Sequence, residues 1–499
     1  MTQLNDQLVR DMVEKVLQTI QSGWGSRQAP TPGKSAPPPV TVGYAPVHAA
    51  GAATGAAPRL GQFTSVDEAV AAAQAAQAAL ARRSLAQREE ICNVIRRICI
   101  DQAEELGRME YEETRIGHPP HKGPKMATVG KVVQGVEWYR TQTGCFSGDH
   151  GITLEEHGPW GVIAVVTPVT HSLPTLACNA VQIIAAGNAL VCNPHPSGKK
   201  IAAHGAKLFN QAIYDRFGID NLICVITDPT IESANALFRH RDIPLICVTG
   251  GPGVVAAALK SGKRAVCAGP GNPPVVVDAS ADIDNAARCI IEGATFDNNL
   301  LCLSEKEVFV EAPVYESFMA AMEKAGAVRL TAQQMNELGR ICLEVPPEGH
   351  AHANKKFVGA EACVLAQQIG LSVPPSCRLL FGPTTADHPW VQAEQMMPCL
   401  PVVKADTFEQ AVDMAKQAEH GFGHTAVLHS RLVDHMTAMG KAMNTTLFVK
   451  NGPSVAGNGA GGEGYASFSI ACTTGEGITT PLTFTRFRRC IMVDNLRIV

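Results

Sequence analysis

Cys302 lies in the stretch FDNNLLCLSEKEVFV, with leucines on both sides and the charged run SEKE just beyond. The chain contains 16 cysteines, and most buried cysteines act only as small apolar side chains. A nucleophilic cysteine needs surroundings that lower the pKa of its thiol, position a substrate and supply an acceptor. The cysteines are scattered singly without a CxxC pair, so the sequence predicts no metal site and no disulfide framework.

Two turns rich in glycine can approach a ligand closely. In VTGGPGVV, Gly250 and Gly251 follow a predicted strand and precede a predicted helix, whose N-terminus favours an anion such as a pyrophosphate. The same pattern also occurs in ordinary loops, and its spacing differs from the GxGxxG of the usual dinucleotide fold. The second turn, AGPGNPP at residues 268–274, carries no ionisable side chain.

Short apolar strands alternate with amphipathic helices from about residue 61 onward. Runs such as GVIAVVTP, NALVCN and NPPVVVD are rich in β-branched residues, and the segments between them have helical patterns. This alternation predicts parallel sheets covered by helices. We therefore predict an α/β fold with two parallel-sheet domains, a cofactor domain at 61–280 and a catalytic domain at 281–455. Cys302 would lie near their junction, where ligand clefts form.

Two further segments are predicted to be extended ribbons. They are TGCFSGDHGITLEEHG, near residues 140–156, and the tail TFTRFRRCIMVDNLRIV. We expect them to pair with each other or with a neighbouring subunit, as a β-ribbon oligomerisation arm of a homodimer or homotetramer. Residues 456–499 would then return to the cofactor domain and complete this arm.

The N-terminal part of the sequence differs from the rest. Residues 1–21 have apolar side chains at a period of about 3.6, which predicts a short amphipathic helix. Residues 22–60 are rich in Pro, Gly and Ala and are predicted to be a disordered linker. Because an isolated helix this short is marginal in water, it needs a surface to pack on. That surface is either the main body of this chain or another molecule.

Composition argues against several classes of function. The formal net charge is −4, and no long Lys/Arg block suggests a nucleic-acid partner. The sequence contains no apolar run of about 18 residues and no signal-peptide pattern, so we expect neither membrane association nor secretion. A cytoplasmic location is the corresponding expectation.

Over residues 61–499 the sequence resembles the aldehyde dehydrogenase superfamily, through the TP after a strand and the segments AAGNALV and VTGGPG. The segments FDNNLLC, GAGGEGY, FVKNGPS and GHTAVLH resemble its CoA-acylating branch, found in ethanolamine- and propanediol-utilisation compartments. The resemblance implies NAD and coenzyme A as co-substrates and propionaldehyde or acetaldehyde as the substrate. It also implies that the helix at 1–21 is an encapsulation peptide, which binds shell or core proteins of a bacterial microcompartment.

The resemblance implies roles for several residues. Cys302 is placed as the nucleophile, which attacks an aldehyde to give a hemithioacetal and, after hydride transfer to NAD, an enzyme thioester. Relatives stabilise the oxyanion with the cysteine's own N–H and an Asn side chain. Here the segment reads TPVTHSLP, so either Thr170 or His171 takes that place. His424 is the candidate general base for an incoming thiol, and the alternative is a hydrogen-bonded structural histidine.

Ala268 occupies the position at which hydrolytic members of the family carry a Glu. That carboxylate activates the water that cleaves the thioester. Without it the thioester persists until a better nucleophile arrives, and a thiol is one because it is partly ionised near neutral pH. The sequence thus predicts acyl transfer to coenzyme A. The alternatives are a hydrolytic aldehyde dehydrogenase with an unrecognised base, and a catalytically idle scaffold protein.

The resemblance also implies an NAD site. Its residues are Thr167, Pro168 and Val169 beside the nicotinamide, Thr249, Gly250, Gly251 and Val254 near the pyrophosphate, Glu394 at the nicotinamide ribose, and Asn193, His195 and Pro196 near the adenosine ribose. Asn193 and Pro196 stand where a Lys and a Glu are common. Loss of that Glu removes repulsion against a 2′-phosphate, so NADP is not strictly excluded. NAD is the predicted cofactor because the neighbourhood offers no Arg.

Overall fold

The computed structural model describes residues 58–139, 143–346 and 351–499. The predicted helix at 1–21 and nearly all of the predicted linker at 22–60 lie outside these residues. Pro58–Val499 form one unit that contains two parallel sheets and an antiparallel ribbon. This architecture confirms the predicted α/β fold class with two parallel-sheet domains.

The first sheet has six parallel strands. Every residue of Val162–Thr167 and of Ala189–Pro194 is buried. Because successive side chains of a strand point to opposite faces, full burial means that helices cover both faces of this sheet. In spatial order its strands are Gln62–Phe63, Ile223–Ile226, Ala189–Pro194, Val162–Thr167, Leu245–Thr249 and Arg264–Ala268.

The second sheet has seven strands, again all parallel. Its strand Pro274–Val277 pairs with Glu307–Glu311 on one side and with Thr425–His429 on the other. The chain therefore crosses from the first sheet to the second at residues 269–273, before the predicted boundary at residue 280. In spatial order the strands are Val328–Arg329, Leu380–Pro383, Cys399–Ala405, Glu307–Glu311, Pro274–Val277, Thr425–His429 and Leu447–Lys450.

The helices cover the sheets and begin at residues that suit helix N-termini. Ser84 and Thr331, for example, each form a capping box with the glutamine three positions later. The α-helices of the described residues are Val66–Leu80, Leu85–Asp101, Ala103–Thr114, Pro119–Val132, Val136–Tyr139, Ser172–Ala185, Lys199–Phe217, Ile231–Arg239, Pro252–Leu259, Ile283–Thr295, Tyr315–Lys324, Ala332–Cys342, Ala362–Gln367, Pro389–Gln392, Phe408–Ala418 and Val433–Met443.

The two predicted ribbons pair with each other. Gly144–Gly148 and Gly151–Pro159 form a hairpin, and Thr485–Val493 pairs antiparallel along the whole length of Gly151–Pro159. The resulting arm exposes large apolar side chains, among them Phe146 and Phe487. The predicted β-ribbon is thus present, and its exposed apolar surface is a candidate contact surface.

Two short antiparallel pairs complete the strands of the described residues. One joins Leu343–Glu344 to His352–Ala353, and the other joins Ile470–Ala471 to Gly477–Ile478. The second pair packs beside Arg264–Ala268. The chain therefore returns to the first sheet after it has completed the second.

Candidate active site

Cys302 lies on the loop between the helix Ile283–Thr295 and the strand Glu307–Glu311. Its side chain is half-buried and packs against a small apolar cluster. Burial raises the pKa of its thiol to about 12, and the nearby Glu394 and Cys472 act in the same direction. The resting thiol is therefore protonated near neutral pH. These surroundings raise the thiol pKa, whereas a nucleophilic cysteine is expected in surroundings that lower it.

Three consecutive residues before Cys302 have left-handed backbone conformations. The φ angles of Asp297, Asn298 and Asn299 are 50°, 56° and 66°. Asp and Asn are among the few non-glycine residues that tolerate this region, so the DNN triplet suits the turn. A strained backbone of this kind persists only where the surrounding contacts determine it.

Asp297 is held by two buried lysines. Its Oδ2 accepts hydrogen bonds from Lys122 Nζ at 3.0 Å and Lys125 Nζ at 2.6 Å, and all three side chains are at most 1% exposed. Its Oδ1 accepts from the backbone N–H of His118. Burial alone would raise the pKa of Asp297, but the two lysines outweigh burial and hold this pKa below its ordinary value. The carboxylate is therefore charged and fixes the start of the loop that carries Cys302.

The two asparagines are fixed by backbone carbonyl groups and by Arg378. Asn298 Nδ2 donates to Gly359 O, and Asn298 Oδ1 accepts from the Arg378 guanidinium. Asn299 Nδ2 donates to Glu305 O at 2.9 Å. Sequence reasoning missed the positioning role of these residues. The available signal was the DNN triplet itself, because Asp and Asn are enriched in left-handed positions.

The charged run after Cys302 is buried. Glu305, Lys306 and Glu307 are each 0% exposed. Glu305 accepts hydrogen bonds from the backbone N–H and the hydroxyl of Ser454, yet burial raises its pKa to about 7. Burial lowers the pKa of Lys306 to about 8. A segment that its polarity alone would place at the surface thus lies beneath the candidate nucleophile.

His424 has a free proton acceptor. Its backbone N–H donates to Glu419, and its Nδ1 lies 2.8 Å from Thr425 Oγ1. Its Nε2 is buried and has no hydrogen-bond partner among the residues that the structure describes. Burial lowers the pKa of His424 to about 4, so the ring is neutral at pH 7. With the proton on Nδ1 and donated to Thr425, Nε2 keeps a lone pair for another proton.

Gly271 lies between His424 and the Cys302 loop. A Cβ atom at Gly271 would be 2.7 Å from Cys302 O and 2.9 Å from His424 Cγ, so only glycine allows this close approach. The backbone N–H of Gly271 donates to the Glu394 carboxylate, whose pKa is raised by burial. The structure therefore brings Cys302, His424 and Glu394 together around one glycine.

A small, mainly apolar cavity lies next to the loop that carries Cys302, and its lining contains both chain neighbours of Cys302 but not Cys302 itself. The flanking Leu301 and Leu303 form part of its wall together with Phe296 and Phe468. Its volume is about 40 Å³. A single water molecule needs roughly 10–15 Å³, so the cavity has room for about three groups of that size. It suits a short aliphatic chain.

Thr170 and His171 follow the first-sheet strand that ends at Thr167. The Thr170 carbonyl accepts a hydrogen bond from Lys125, the lysine that also holds the nucleophile loop. His171 is buried, its Nδ1 has no hydrogen-bond partner in the described part of the chain, and its ring lies 5.8 Å from that of Phe468. Burial lowers the pKa of His171 to about 3. Lys125 thus connects this segment to the nucleophile loop, and the oxyanion role of either residue stays a prediction.

Residues 46–468 match the sequence model of the aldehyde dehydrogenase family. This chain belongs to the aldehyde dehydrogenase family. The match includes both parallel sheets and the loop that carries Cys302, and it confirms the resemblance seen in the sequence. The chain is 44% identical over 442 residues to the acetylating acetaldehyde dehydrogenase EutE of Salmonella typhimurium, a match that covers 88% of this chain and 94% of the relative.

Solved structures of aldehyde dehydrogenases share the whole fold. A propionaldehyde dehydrogenase from the Clostridium phytofermentans fucose utilisation bacterial microcompartment matches with a TM-score of 0.85 and 43% identity, over 88% of this chain and 100% of that chain. The Rhodopseudomonas palustris propionaldehyde dehydrogenase with bound propionyl-CoA matches with a TM-score of 0.84 and 40% identity, over 88% of this chain and 96% of that chain.

In this aldehyde dehydrogenase the predicted pyrophosphate turn is open. Gly250 and Gly251 join a first-sheet strand to the helix Pro252–Leu259. A Cβ atom at Gly251 would meet nothing within 4 Å, so the helix N-terminus is accessible to an anion. A Cβ atom at Gly250 would lie 2.8 Å from Val254 Cγ1, and Val254 itself packs on the core of the first domain.

Ala268 is the last residue of the strand Arg264–Ala268, and its side chain is buried. Its carbonyl accepts a hydrogen bond from Gly250 N–H at 3.2 Å. The neighbouring Thr249 hydroxyl lies 2.8 Å from Ser469 Oγ. A methyl group thus stands at the end of this strand, where the resemblance implies a Glu in hydrolytic aldehyde dehydrogenases.

The remaining residues of the predicted NAD site lie at the ends of first-sheet strands. Thr167 is buried, and Pro168 and Val169 continue from it as a half-buried turn. Asn193 lies in the neighbouring strand Ala189–Pro194, where its side-chain amide donates to Thr230 O and accepts from the Ser233 hydroxyl.

His195 and Pro196 follow Asn193 and are exposed. Neither is a carboxylate, and the Asn193 amide already bonds to the protein. These side chains place no negative charge here against a 2′-phosphate.

No helix within residues 58–139, 143–346 and 351–499 is both long and apolar enough to cross a membrane. Across the same described ranges, His, Cys, Asp and Glu side chains form no cluster of three that could hold a metal ion.

Proposed function

We propose that this aldehyde dehydrogenase oxidises a short aliphatic aldehyde to its acyl-CoA with reduction of NAD. The observation that carries the proposal is Ala268, a methyl group in place of the carboxylate that activates water in hydrolytic members. The relatives support it, because one is named as an acetylating acetaldehyde dehydrogenase and another was solved with propionyl-CoA. The small cavity next to the Cys302 loop supports acetaldehyde or propionaldehyde as the substrate.

The residues of this chain account for the first half of the reaction. The Cys302 thiol first loses its proton to solvent water, and the nearby Lys306 favours the resulting thiolate. The thiolate then adds to the aldehyde carbon, and the C=O π electrons move to the oxygen to form the oxyanion. The backbone N–H of Cys302 stabilises the oxyanion together with Thr170 or His171. NAD, when bound, accepts the hydride that leaves as the hemithioacetal becomes a thioester.

The second half transfers the acyl group from Cys302. Coenzyme A, when bound, supplies the thiol that attacks the thioester. His424 Nε2 accepts the proton of this thiol, since the ring is neutral at pH 7. The bond between the acyl carbon and Cys302 then breaks, which restores the cysteine. Water is a poor competitor because Ala268 has no carboxylate.

The described residues fit both co-substrates. The open turn at Gly251 and the helix N-terminus behind it suit a pyrophosphate. The carboxylate of Glu394, held by Gly271, suits the hydroxyls of a ribose. His424 Nε2, buried and without a partner among residues 58–139, 143–346 and 351–499, suits the proton of a thiol. At the adenosine end, Asn193, His195 and Pro196 would allow NAD without strictly excluding NADP.

Product analysis tests the proposed function. Purified protein is incubated with propionaldehyde and NAD, with and without coenzyme A, and the products are identified by mass. We expect NADH formation that depends on coenzyme A and yields propionyl-CoA. Turnover without coenzyme A that yields propionate would mean that another group activates water, and the interpretation of Ala268 would be wrong.

Replacing His424 by Gln should slow deacylation more than acylation. We expect the rate constant and the amplitude of the NADH burst in the first turnover to be close to those of the unaltered protein. Steady-state kcat should fall roughly 10²–10⁴-fold, as for loss of a general base. Rapid-mixing absorbance at the NADH band measures both phases.

His429 provides a matched control for His424. It ends the strand Thr425–His429, which begins directly after His424. Both of its ring nitrogens are buried without partners in the described part of the chain, and burial lowers its pKa to about 4 as well. His429→Gln should leave kcat within about twofold, since the residue has no assigned step. An equal loss in both variants would mean that His424 acts only structurally.

Enlarging the cavity should change the preferred chain length. Leu303→Ala should raise the ratio of kcat/KM for pentanal over propionaldehyde by about tenfold, because one or two methylene groups in an apolar pocket are worth about 1–3 kcal/mol. Leu338→Ala removes an equally buried leucine from a different cluster and should leave the ratio unchanged. An unchanged ratio in Leu303→Ala would remove this cavity from the aldehyde site.

The assembly and partners are also part of the proposal. The ribbon arm, with Phe146 and Phe487 exposed, supports a homo-oligomer formed through this arm.

Residues 1–21 are assigned to docking on microcompartment shell or core proteins. Deletion of residues 1–21 should leave kcat/KM within about twofold and abolish co-purification with shell proteins. If the truncated protein loses activity, the segment belongs to the catalytic body.

A further inference from the structure

Lys306 is a fully buried cation beneath the nucleophile loop. Its backbone N–H donates to Pro273 O, directly before the interior strand Pro274–Val277 of the second sheet, which anchors the residue. Its side chain turns back toward the loop, where Nζ donates to Asn299 O at 2.9 Å, to Asn299 Oδ1 and to Leu301 O at 3.2 Å. All three acceptors lie within the three residues that precede Cys302.

A buried ammonium group is costly unless it is fully hydrogen-bonded. An Nζ atom has three protons, and the three contacts of Lys306 account for all of them. Two of the acceptors belong to Asn299, a residue with a left-handed backbone conformation. The lysine therefore contributes to holding the strained turn in place.

The third acceptor connects Lys306 directly to the reacting residue. Leu301 O belongs to the peptide group whose N–H is that of Cys302. This carbonyl accepts a second hydrogen bond, from Ser304 N–H at 3.1 Å. Hydrogen bonds in series polarise one another. Two donors on the Leu301 carbonyl, one of them cationic, therefore make the N–H of the same peptide group, that of Cys302, a stronger hydrogen-bond donor.

That N–H serves the chemistry of Cys302 in two ways. It lies against the cysteine's own sulfur, where it favours the thiolate. In the proposed reaction it also donates to the oxyanion, and donors of this kind are often the largest single contribution to stabilising the transition state.

We propose that Lys306 is a positioning residue for Cys302: its ammonium group holds the Leu301–Cys302 peptide and polarises the N–H that stabilises first the thiolate and then the oxyanion. This proposal rests on the proposed role of Cys302 as the nucleophile. Lys306 acts through the Leu301–Cys302 peptide group and does not touch the substrate.

Other charged groups also face Lys306. Glu305 and Glu307 flank it on the chain, and Glu394 faces it from the segment that follows the helix Pro389–Gln392. His424, whose ring is neutral at pH 7, lies just before the strand Thr425–His429. Removal of the ammonium group would therefore leave Cys302 beside Glu394 and the Cys472 thiol, which both raise its pKa, without the cation that lowers it.

Alkylation of Cys302 tests the proposal without aldehyde, NAD or coenzyme A. The rate of modification by iodoacetamide at pH 8 is followed by the mass of the peptide that contains Cys302. Because this rate follows the thiolate fraction, we expect Lys306→Met to lower it about tenfold, equivalent to about one pKa unit. Lys306→Arg, which keeps the charge and the donors, should recover most of the rate. If Lys306→Met does not fold, Lys306→Gln replaces it with the same expected loss.

Lys122→Met is the matched control. Lys122 is also a buried lysine bound to this loop, its pKa is likewise lowered to about 8, and its partner is the Asp297 carboxylate, which Lys125 still holds in the variant. We expect it to lower stability without the tenfold loss of alkylation rate. An equal loss in Lys122→Met, an unchanged rate in Lys306→Met, or an arginine variant no better than methionine would each overturn the proposal.

The burst of NADH supplies a second readout. In Lys306→Met we expect the burst rate constant with propionaldehyde to fall about tenfold, while KM changes less than about twofold, because the polarised N–H acts on the transition state. A rise in KM alone would contradict this role. Absence of CoA-dependent turnover in the unaltered protein would instead refute the proposed function, so the two failures are distinguishable.

Discussion

Cys302→Ala should abolish aldehyde-dependent NADH formation, with kcat/KM lowered by at least about 10⁴-fold, the scale seen when a covalent nucleophile is removed. The reason is chemical: without the sulfur there is neither a hemithioacetal nor a thioester from which an acyl group can be transferred. The measurement is NADH absorbance with propionaldehyde, NAD and coenzyme A. Mass spectrometry should also show no acylated protein when coenzyme A is left out.

Cys363 offers a control of the same residue type. It is half-buried, as Cys302 is, but it lies in the helix Ala362–Gln367. Cys363→Ala should keep kcat/KM within about twofold, because that cysteine takes no part in the proposed reaction. Far-ultraviolet circular dichroism of both variants should match that of the unaltered protein. Substantial turnover by a correctly folded Cys302→Ala would remove this residue from the mechanism.

Asp297→Asn should lower the free energy of unfolding by about 3–5 kcal/mol, the range for removal of one partner from a buried ion pair. The carboxylate is shared by Lys122 and Lys125, and all three groups are at most 1% exposed. Replacement by an amide leaves the two buried ammonium groups with Glu110, 4.0 Å from Lys125, as their remaining buried counter-charge, so much of the cost of their desolvation is then uncompensated. Urea unfolding followed by fluorescence measures the change.

The pH dependence of this stabilisation follows from the lowered pKa of Asp297. A carboxyl group with a lower pKa in the folded state than in the unfolded state stabilises the fold above its unfolded pKa of about 3.9. That stabilisation is lost as the pH falls through the folded pKa. The stability difference between Asp297→Asn and the unaltered protein should therefore be full at pH 7 and shrink in strong acid.

Asp282→Asn is the control for Asp297→Asn. Asp282 is a half-exposed helix N-cap, and Asn is about as good an N-cap as Asp. The same chemical change there should leave the free energy of unfolding nearly unchanged. If Asp297→Asn is as stable as the unaltered protein, the buried triad does not hold the loop.

Much of the fold was predictable because the strand signals were strong. The run GVIAVVTP was predicted as a strand and is observed at Val162–Thr167, and NALVCN, predicted as a strand over residues 188–193, is observed one residue later at Ala189–Pro194. Uninterrupted β-branched runs suit strands buried on both faces, so pattern and packing agree. The boundary between the sheets was harder to recognise in the sequence, because Pro274–Val277 is as apolar as the strands before it. Only its pairing assigns this strand to the second sheet.

The buried contacts that hold the Cys302 loop were not predictable from the local sequence pattern. Asp297 and Lys122 are 175 residues apart, and no short-range rule joins them. The run SEKE has the polarity of a surface segment, yet Lys306 is buried because carbonyl groups of the loop satisfy all three of its protons. The thiol pKa also depends on burial, which only the packed structure reveals.

By itself, the sequence determined the family, the α/β architecture and the identity of Cys302, His424 and Ala268 as the residues to examine. These follow from residue types and from contiguous motifs, which can be recognised without knowledge of the contacts in the folded chain. Only the tertiary structure decided which charges are buried, that His424 Nε2 has no hydrogen-bond partner among the described residues, and that Lys306 bonds to the peptide group of the candidate nucleophile. The physical reason is that pKa values, strain and polarisation depend on desolvation and on partners distant in the chain, and both exist only after folding.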